Sequence, residues 1–191
     1  MQKNKAIILM GIKHSGKSTQ GRLLAEHFGC PFIDVDDAIT KLFKKTPREI
    51  YSEKGPVGFM YAEEETCKRI AASYANKQMI ISTGGGICDN APALNHLRPL
   101  GDFIYLEISE KTACNRIIKK ASYDEISRKW TNLPAYIAKK NPKDEDDVRK
   151  IFHTFYEERT ETYKSIADKI CHTTENSKEE NSKKIIECLE N

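Results

Sequence analysis

The stretch Gly11-Ile12-Lys13-His14-Ser15-Gly16-Lys17-Ser18-Thr19 limits what this chain can fold into more than any other. It satisfies the pattern G-x-x-x-x-G-K-[ST] without a mismatch, the spacing of a phosphate-binding loop. Its flanks agree. Ala6-Ile7-Ile8-Leu9-Met10 is an apolar run of the kind that forms a buried parallel strand. Ser18 to Phe28 has helical spacing, with Leu23, Leu24, His27 and Phe28 on one face and Gly29 as a stop signal. A strand, a glycine loop and a helix therefore follow in the required order.

Such a loop turns successive backbone N–H groups inward to make an anion nest, and the next helix adds its positive N-terminal end. Lys17 is expected to reach the outer phosphates, and Ser18 to ligate Mg²⁺ through its hydroxyl. Gly11, His14, Ser15, Gly16 and Thr19 complete the nucleotide loop, with His14 as a spacer.

Pro31 to Asp37 reads as a short strand running into a helix start. Asp34 and Asp36 are two apart and would share a side of an extended strand. Two carboxylates at a strand end near a phosphate loop can hold Mg²⁺ and accept a proton from an attacking hydroxyl. Asp37 suits the helix N-terminus. A helix at Ala38 to Phe43 follows. The next begins at Thr46-Pro47-Arg48-Glu49 with a capping box and breaks at Gly55-Pro56; Val57 to Asn76 is a longer one.

Gln78 to Thr83 is a third buried strand, ending in Gly84-Gly85-Gly86. Three glycines after a strand imply unusual dihedrals or a ligand close to the backbone, and ligands of open α/β sheets sit at strand C-termini. Further elements are a helix from Asn90 to Leu97, a strand from Asp102 to Ile108, a Ser109-capped helix to Lys120, a long helix from Val148 to Asp168, a last strand from Lys169 to Thr173 and a closing helix from Lys183 to Leu189. The alternation predicts a three-layer α/β/α fold with a five-stranded parallel sheet, one domain over 1–191. The polar segment 121–147 is long for a connection and reads as a lid.

Composition narrows the partners. Net charge is +3 with 31% charged residues, which favours neither nucleic acid nor membrane, and no apolar run nears the roughly 20 residues of a membrane span. Six scattered cysteines without a C-x-x-C pair read as free thiols in a reducing cytoplasm, with no disulfide framework or zinc site. A cytoplasmic monomer acting on a small molecule is the expectation.

Taken together, the chain resembles the shikimate kinase family along nearly its whole length. The matching pieces are the phosphate loop with Gly21-Arg22-Leu23-Leu24-Ala25, Phe32-Ile33-Asp34-Val35-Asp36, and Gly55 and Phe59 before Glu63. Ser82 to Gly86, Tyr105 to Ser109, and Glu158-Arg159 with Tyr163 follow. The resemblance implies a P-loop kinase that uses ATP and Mg²⁺ to phosphorylate a hydroxyl of shikimate. By resemblance, Asp34 assists Mg²⁺, Asp36 binds the acceptor hydroxyls as base, and Gly84, Gly85 and Gly86 touch the acceptor. Arg159 pairs with its carboxylate, Arg116 lies on the adenine, and Thr173 to Asn176 line the other side of the base. Two positions depart. Met60 stands where the family has an acceptor-binding arginine, and Leu133-Pro134 where it has a lid Arg-Pro; Arg128, Lys129 and Lys139 are the candidate substitutes. Another hydroxylated acceptor, or nucleotide binding without transfer, are the alternatives these departures leave.

Overall fold

The computed structural model describes residues 5–127 and 129–190. Five parallel strands form the main sheet: β1 (Ala6–Met10), β2 (Phe32–Asp34), β3 (Met79–Ser82), β4 (Gly101–Glu107) and β7 (Lys169–His172), in the order β2-β3-β1-β4-β7. Successive strands cross from one side of β1 to the other between β3 and β4, which makes the C-terminal end of β1 the switch point where α/β sheets bind ligands. The phosphate loop lies there.

Alternation along β1 explains the layers. Ile7 and Leu9 face one side, with Leu24 and Ala25 of α1 (Lys17–Phe28) and Ile185 and Leu189 of α8 (Lys178–Glu190). Ala6, Ile8 and Met10 face the other. That layer holds α2 (Val35–Phe43), α3 (Pro47–Tyr74), α4 (Ala91–Leu97), α5 (Glu110–Lys120) and α7 (Glu145–Ile166). β1 is buried on both sides, as its unbroken apolar run requires. The backbones of β1 and β4 are so close that a methyl group on Gly101 would lie 1.8 Å from the Ala6 carbonyl oxygen.

Several local expectations change. β2 stops at Asp34, so Asp34 and Asp36 do not share a strand face. Asp34 is instead the N-cap of α2 and accepts the Asp36 N–H at 3.0 Å. Asp34 is the cap, and Asp37 lies in the first turn at the helix N-terminus as expected, facing Arg22 at 3.7 Å. His27 is exposed, and Gln20 and Gly21 join the buried side of α1. The break expected at Gly55-Pro56 is present: Gly55 (φ 67°, ψ −172°) is non-helical and divides α3 into two helical segments across a kink, a left-handed dihedral that glycine takes at little cost.

The segment 121–147 is more ordered than its polarity suggests. β5 (Ser122–Asp124) and β6 (Lys129–Thr131) form an antiparallel hairpin, and α6 (Ala135–Ala138) follows. Leu133 and Ile137 are 4% and 0% exposed and belong to the core. α8 starts at Lys178, five residues earlier than expected, because Ser177 and Glu180 cap a polar first turn. The expectation of six free thiols is also corrected: Cys171 of β7 and Cys188 of α8 form a disulfide. Packing α8 onto the sheet brings these two together, although 17 positions separate them. No helix among the described residues is long and apolar enough to cross a membrane.

Candidate active site

The loop from Gly11 to Gly16 has the backbone of an anion nest. Gly11 (φ 148°), His14 (φ 66°) and Gly16 (φ 101°) take positive dihedrals that turn N–H groups inward. A side chain on Gly11 would strike the Leu106 carbonyl oxygen at 2.9 Å. Lys17 is 7% exposed, and its ammonium donates to the Gly11 and Ile12 carbonyls at 2.8 and 3.0 Å. Burial pulls its pKa down to about 8, opposed by the charges of Asp36 and Asp34.

Ser18 and Asp34 meet below the loop, the hydroxyl donating to Asp34 Oδ2 at 2.6 Å. Among the described residues no three His, Cys, Asp or Glu side chains converge on a metal position. A hydroxyl and a carboxylate are nonetheless the hard oxygen set that Mg²⁺ takes when phosphates and water supply the rest, so these two fit that ion.

The glycine triplet forms the opposite wall. A methyl on Gly84 would lie 3.0 Å from Glu63 Oε1 and 3.2 Å from Asp36 Oδ1. A methyl on Gly85 would lie 2.8 Å from the Lys13 nitrogen, and one on Gly86 3.2 Å from Arg159 Nη1. The triplet has no room for side chains, and its backbone is bracketed by two carboxylates and two cationic residues. Burial and the nearby Asp34 raise the pKa of Asp36, while Lys17 and Lys13 act against that rise. Arg159 packs on the Phe155 ring at 4.2 Å and donates to the Gly85 carbonyl and to Asp89. Met60 is half-buried, and its carbonyl accepts from Asn90 Nδ2 at 2.9 Å.

Arg116 lies where the loop meets the β7–α8 connection, donating to the His14 carbonyl at 3.0 Å and the Thr174 carbonyl at 3.5 Å. It borders a cavity of about 170 Å³ with Ser15, Gly16, Thr19, Thr174 and Asn176. His14 is held neutral, its pKa lowered to about 4 by burial and then by Lys120, Lys13, Lys17 and Arg116.

The structure brings Lys17, Ser18, Asp34 and Asp36 together at the C-terminal edge of the sheet, sets the glycine triplet against Asp36, Lys13 and Arg159, and sets Arg116 against the loop, while the Met60 backbone meets Asn90. Among the substitute cations, Lys139 is committed elsewhere: it donates to the Tyr51 hydroxyl at 2.9 Å and lies over that ring at 4.6 Å. Lys129 is on the exposed hairpin, and Arg128 lies outside the described residues. Three contributors went unassigned. Lys13 has no role of its own in the sequence reading beyond membership of the loop. Glu63, 1% exposed, bonds Asn90 at 2.9 Å through Oε2 and leaves Oε1 without a partner. Asn181 shapes the β7–α8 connection through bonds to Thr174, Asn176 and Ser177 at 2.9–3.2 Å. A lysine inside a phosphate loop was the signal for the first; the other two depend on tertiary contacts.

Comparison with known proteins identifies the family. Residues 13–190 match the sequence model of the family described as shikimate kinase. The chain is 30% identical over 168 residues to the shikimate kinase of Chlorobium phaeovibrioides, covering 87% of this chain and 79% of that protein. A shorter match, 33% over 120 residues, covers 59% of the Chlorobium limicola shikimate kinase. The crystal structure of the shikimate kinase from Bacteroides thetaiotaomicron superposes with a TM-score of 0.76 at 25% identity, covering 98% of this chain and 99% of that one.

Proposed function

The chain belongs to the shikimate kinase family, and on that premise we propose that its cleft transfers the γ-phosphoryl group of ATP to a hydroxyl of shikimate, giving shikimate 3-phosphate and ADP. It is an ATP-dependent small-molecule kinase. The observation that carries the acceptor reading is the triplet's setting: Asp36 Oδ1 stands 3.2 Å from a methyl position on Gly84, and Arg159 Nη1 3.2 Å from one on Gly86. A proton acceptor and a guanidinium thus flank one short stretch of backbone, as a hydroxy acid needs.

Each residue has a role in this reading. The loop from Gly11 to Thr19 holds the phosphates by backbone N–H groups. Lys17 exchanges its two carbonyl partners for phosphate oxygens and neutralises transferring charge. Asp36, with its raised pKa, takes the proton of the acceptor hydroxyl, and Gly84 to Gly86 let the acceptor lie against the backbone. Arg159 pairs with the acceptor's carboxylate. Arg116 and the 173–176 connection hold the base. Ser18 and Asp34 hold Mg²⁺, which when bound neutralises phosphate charge. The segment 121–147 acts as a lid whose exposed hairpin moves while α6 stays anchored. This reading takes the protein as a monomer of one domain in the cytoplasm, where ATP is abundant, acting on small molecules.

A coupled assay of ADP release tests the reading. ADP release that rises with shikimate supports it; a rate the same with and without shikimate overturns it. Met60 favours one competing reading, an uncharged hydroxylated acceptor, which a panel of polyols in the same assay would reveal.

A further inference from the structure

Lys13 is a cation of the cleft that phosphate binding by the loop does not use. Its backbone is the surface opposite Gly85: a methyl there would meet the Lys13 N, Cα and Cβ at 2.8, 3.1 and 3.3 Å. Among the described residues no carboxylate lies within 4.0 Å of its ammonium, and the same holds for Arg48 of α3. Arg159, in contrast, has already given one N–H to Asp89 and another to the Gly85 carbonyl. Beyond Lys17, the cleft therefore combines a spoken-for guanidinium with an uncommitted ammonium.

We propose that Lys13 binds the carboxylate of the acceptor, across the glycine triplet from Arg159, and so selects an acidic acceptor at a site whose Met60 offers no charge. The assignment rests on the acceptor reading above. The polarity of the cleft supports it: an acceptor whose hydroxyl faces Asp36 and whose carboxylate lies between Lys13 and Arg159 satisfies both ends. Electrostatics support it too. Lys13 is exposed as a residue, but partial desolvation lowers its pKa, Asp36 opposes that, and Arg48 and Lys120 add to it. An arriving carboxylate relieves this crowding of positive charge, whereas the neutral Met60 cannot attract one.

The same positive group could instead serve the transferring phosphoryl, so the test separates the two anions. Full-length wild type, Lys13→Met and Lys13→Arg are compared in steady-state ADP release with shikimate and with its neutral methyl ester. Loss of one charge-assisted contact predicts that Lys13→Met raises the KM for shikimate about 10- to 100-fold. The KM for ATP stays within about twofold. Lys13→Arg recovers most of the loss, and on the ester wild type and Lys13→Met are alike. An unchanged KM for shikimate overturns the assignment. An equal loss on acid and ester, or a raised KM for ATP, also overturns it by putting Lys13 on the phosphates. Wild type that turns over no shikimate sinks the acceptor reading and this assignment with it. Active wild type with an unaffected Lys13→Met sinks the assignment alone.

Discussion

Glu63 shows how far one buried side chain can couple the cleft to pH. Burial raises its pKa from 4.5 to about 7, and Asp36 adds to the rise, while Asn90 opposes it. A carboxyl whose folded pKa lies above its unfolded one stabilises the fold fully below the unfolded value. That contribution disappears as pH rises through the folded value. The window here runs from about 4.5 to about 7. Glu63→Gln keeps an amide near Gly84 and Asn90 but cannot ionise. The unfolding free energy of wild type minus that of the variant should therefore fall by about 3 kcal/mol between pH 4.5 and pH 8, measured by urea denaturation. His14 acts in the other direction, since its pKa is lowered from 6.5 to about 4; its contribution is present above 6.5 and lost as pH falls through 4. It is common to both proteins and cancels in the difference. A flat difference would mean that Glu63 is ionised in the folded protein. Lys17 carries the sharper kinetic expectation. Lys17→Met removes a nearly buried charge from the loop, and kcat should drop by about a thousandfold or more, at the scale of losing a cation from a phosphoryl-transfer site.

Single elements divide the segment 121–147 into two mechanical parts. Ile126, at the hairpin tip, is 98% exposed, whereas Ile137 of α6 is fully buried. Tyr136 stacks on Phe155 at 3.6 Å between ring centroids, and Lys139 holds Tyr51. Ile137→Ala should cost about 2–5 kcal/mol by cavity formation. Ile126→Ser should stay within about 0.5 kcal/mol. Both are read from chemical denaturation; equal costs would mean that α6 and the hairpin move as one. This division also marks where sequence reading stops. β1, β3 and β4 were legible because strands buried on both faces must be continuously apolar. The capping box at Thr46 was legible because Thr46 and Glu49 satisfy each other locally. Leu133 and Ile137 were not, since isolated apolar residues in a polar stretch gain their burial from a core built by other parts of the chain. Asp34 ends the expected strand, but Asp36 belongs to α2 rather than to that strand, because the strand's last residue is also the helix N-cap. The Cys171–Cys188 link depends on α8 docking on β7, which no spacing rule encodes.

At the scale of the whole molecule, the phosphate loop lies between two halves of the cleft that rest on one shared core. On one side are α1, α5 and the β7–α8 connection, and on the other α2, the triplet and α7. Both halves use residues whose isolated state is costly: Lys17 is buried against carbonyls alone, and Glu63 Oε1 has no partner. A ligand spanning the loop should therefore stabilise the fold as one unit. Binding to the folded state alone adds about 2.7 kcal/mol at a hundred times Kd. For a chain of 191 residues this corresponds to a rise in Tm of about 5–11 °C with saturating ADP and magnesium. Because Lys17 supplies the main charge to the phosphates, Lys17→Met should lose most of that rise. The acceptor half gives the complementary result: shikimate added to the ADP-bound protein should raise Tm again, while added to Lys13→Met it should raise it much less. If nucleotide moves Tm equally in wild type and Lys17→Met, it is held by its base alone, and the loop does not unite the two halves.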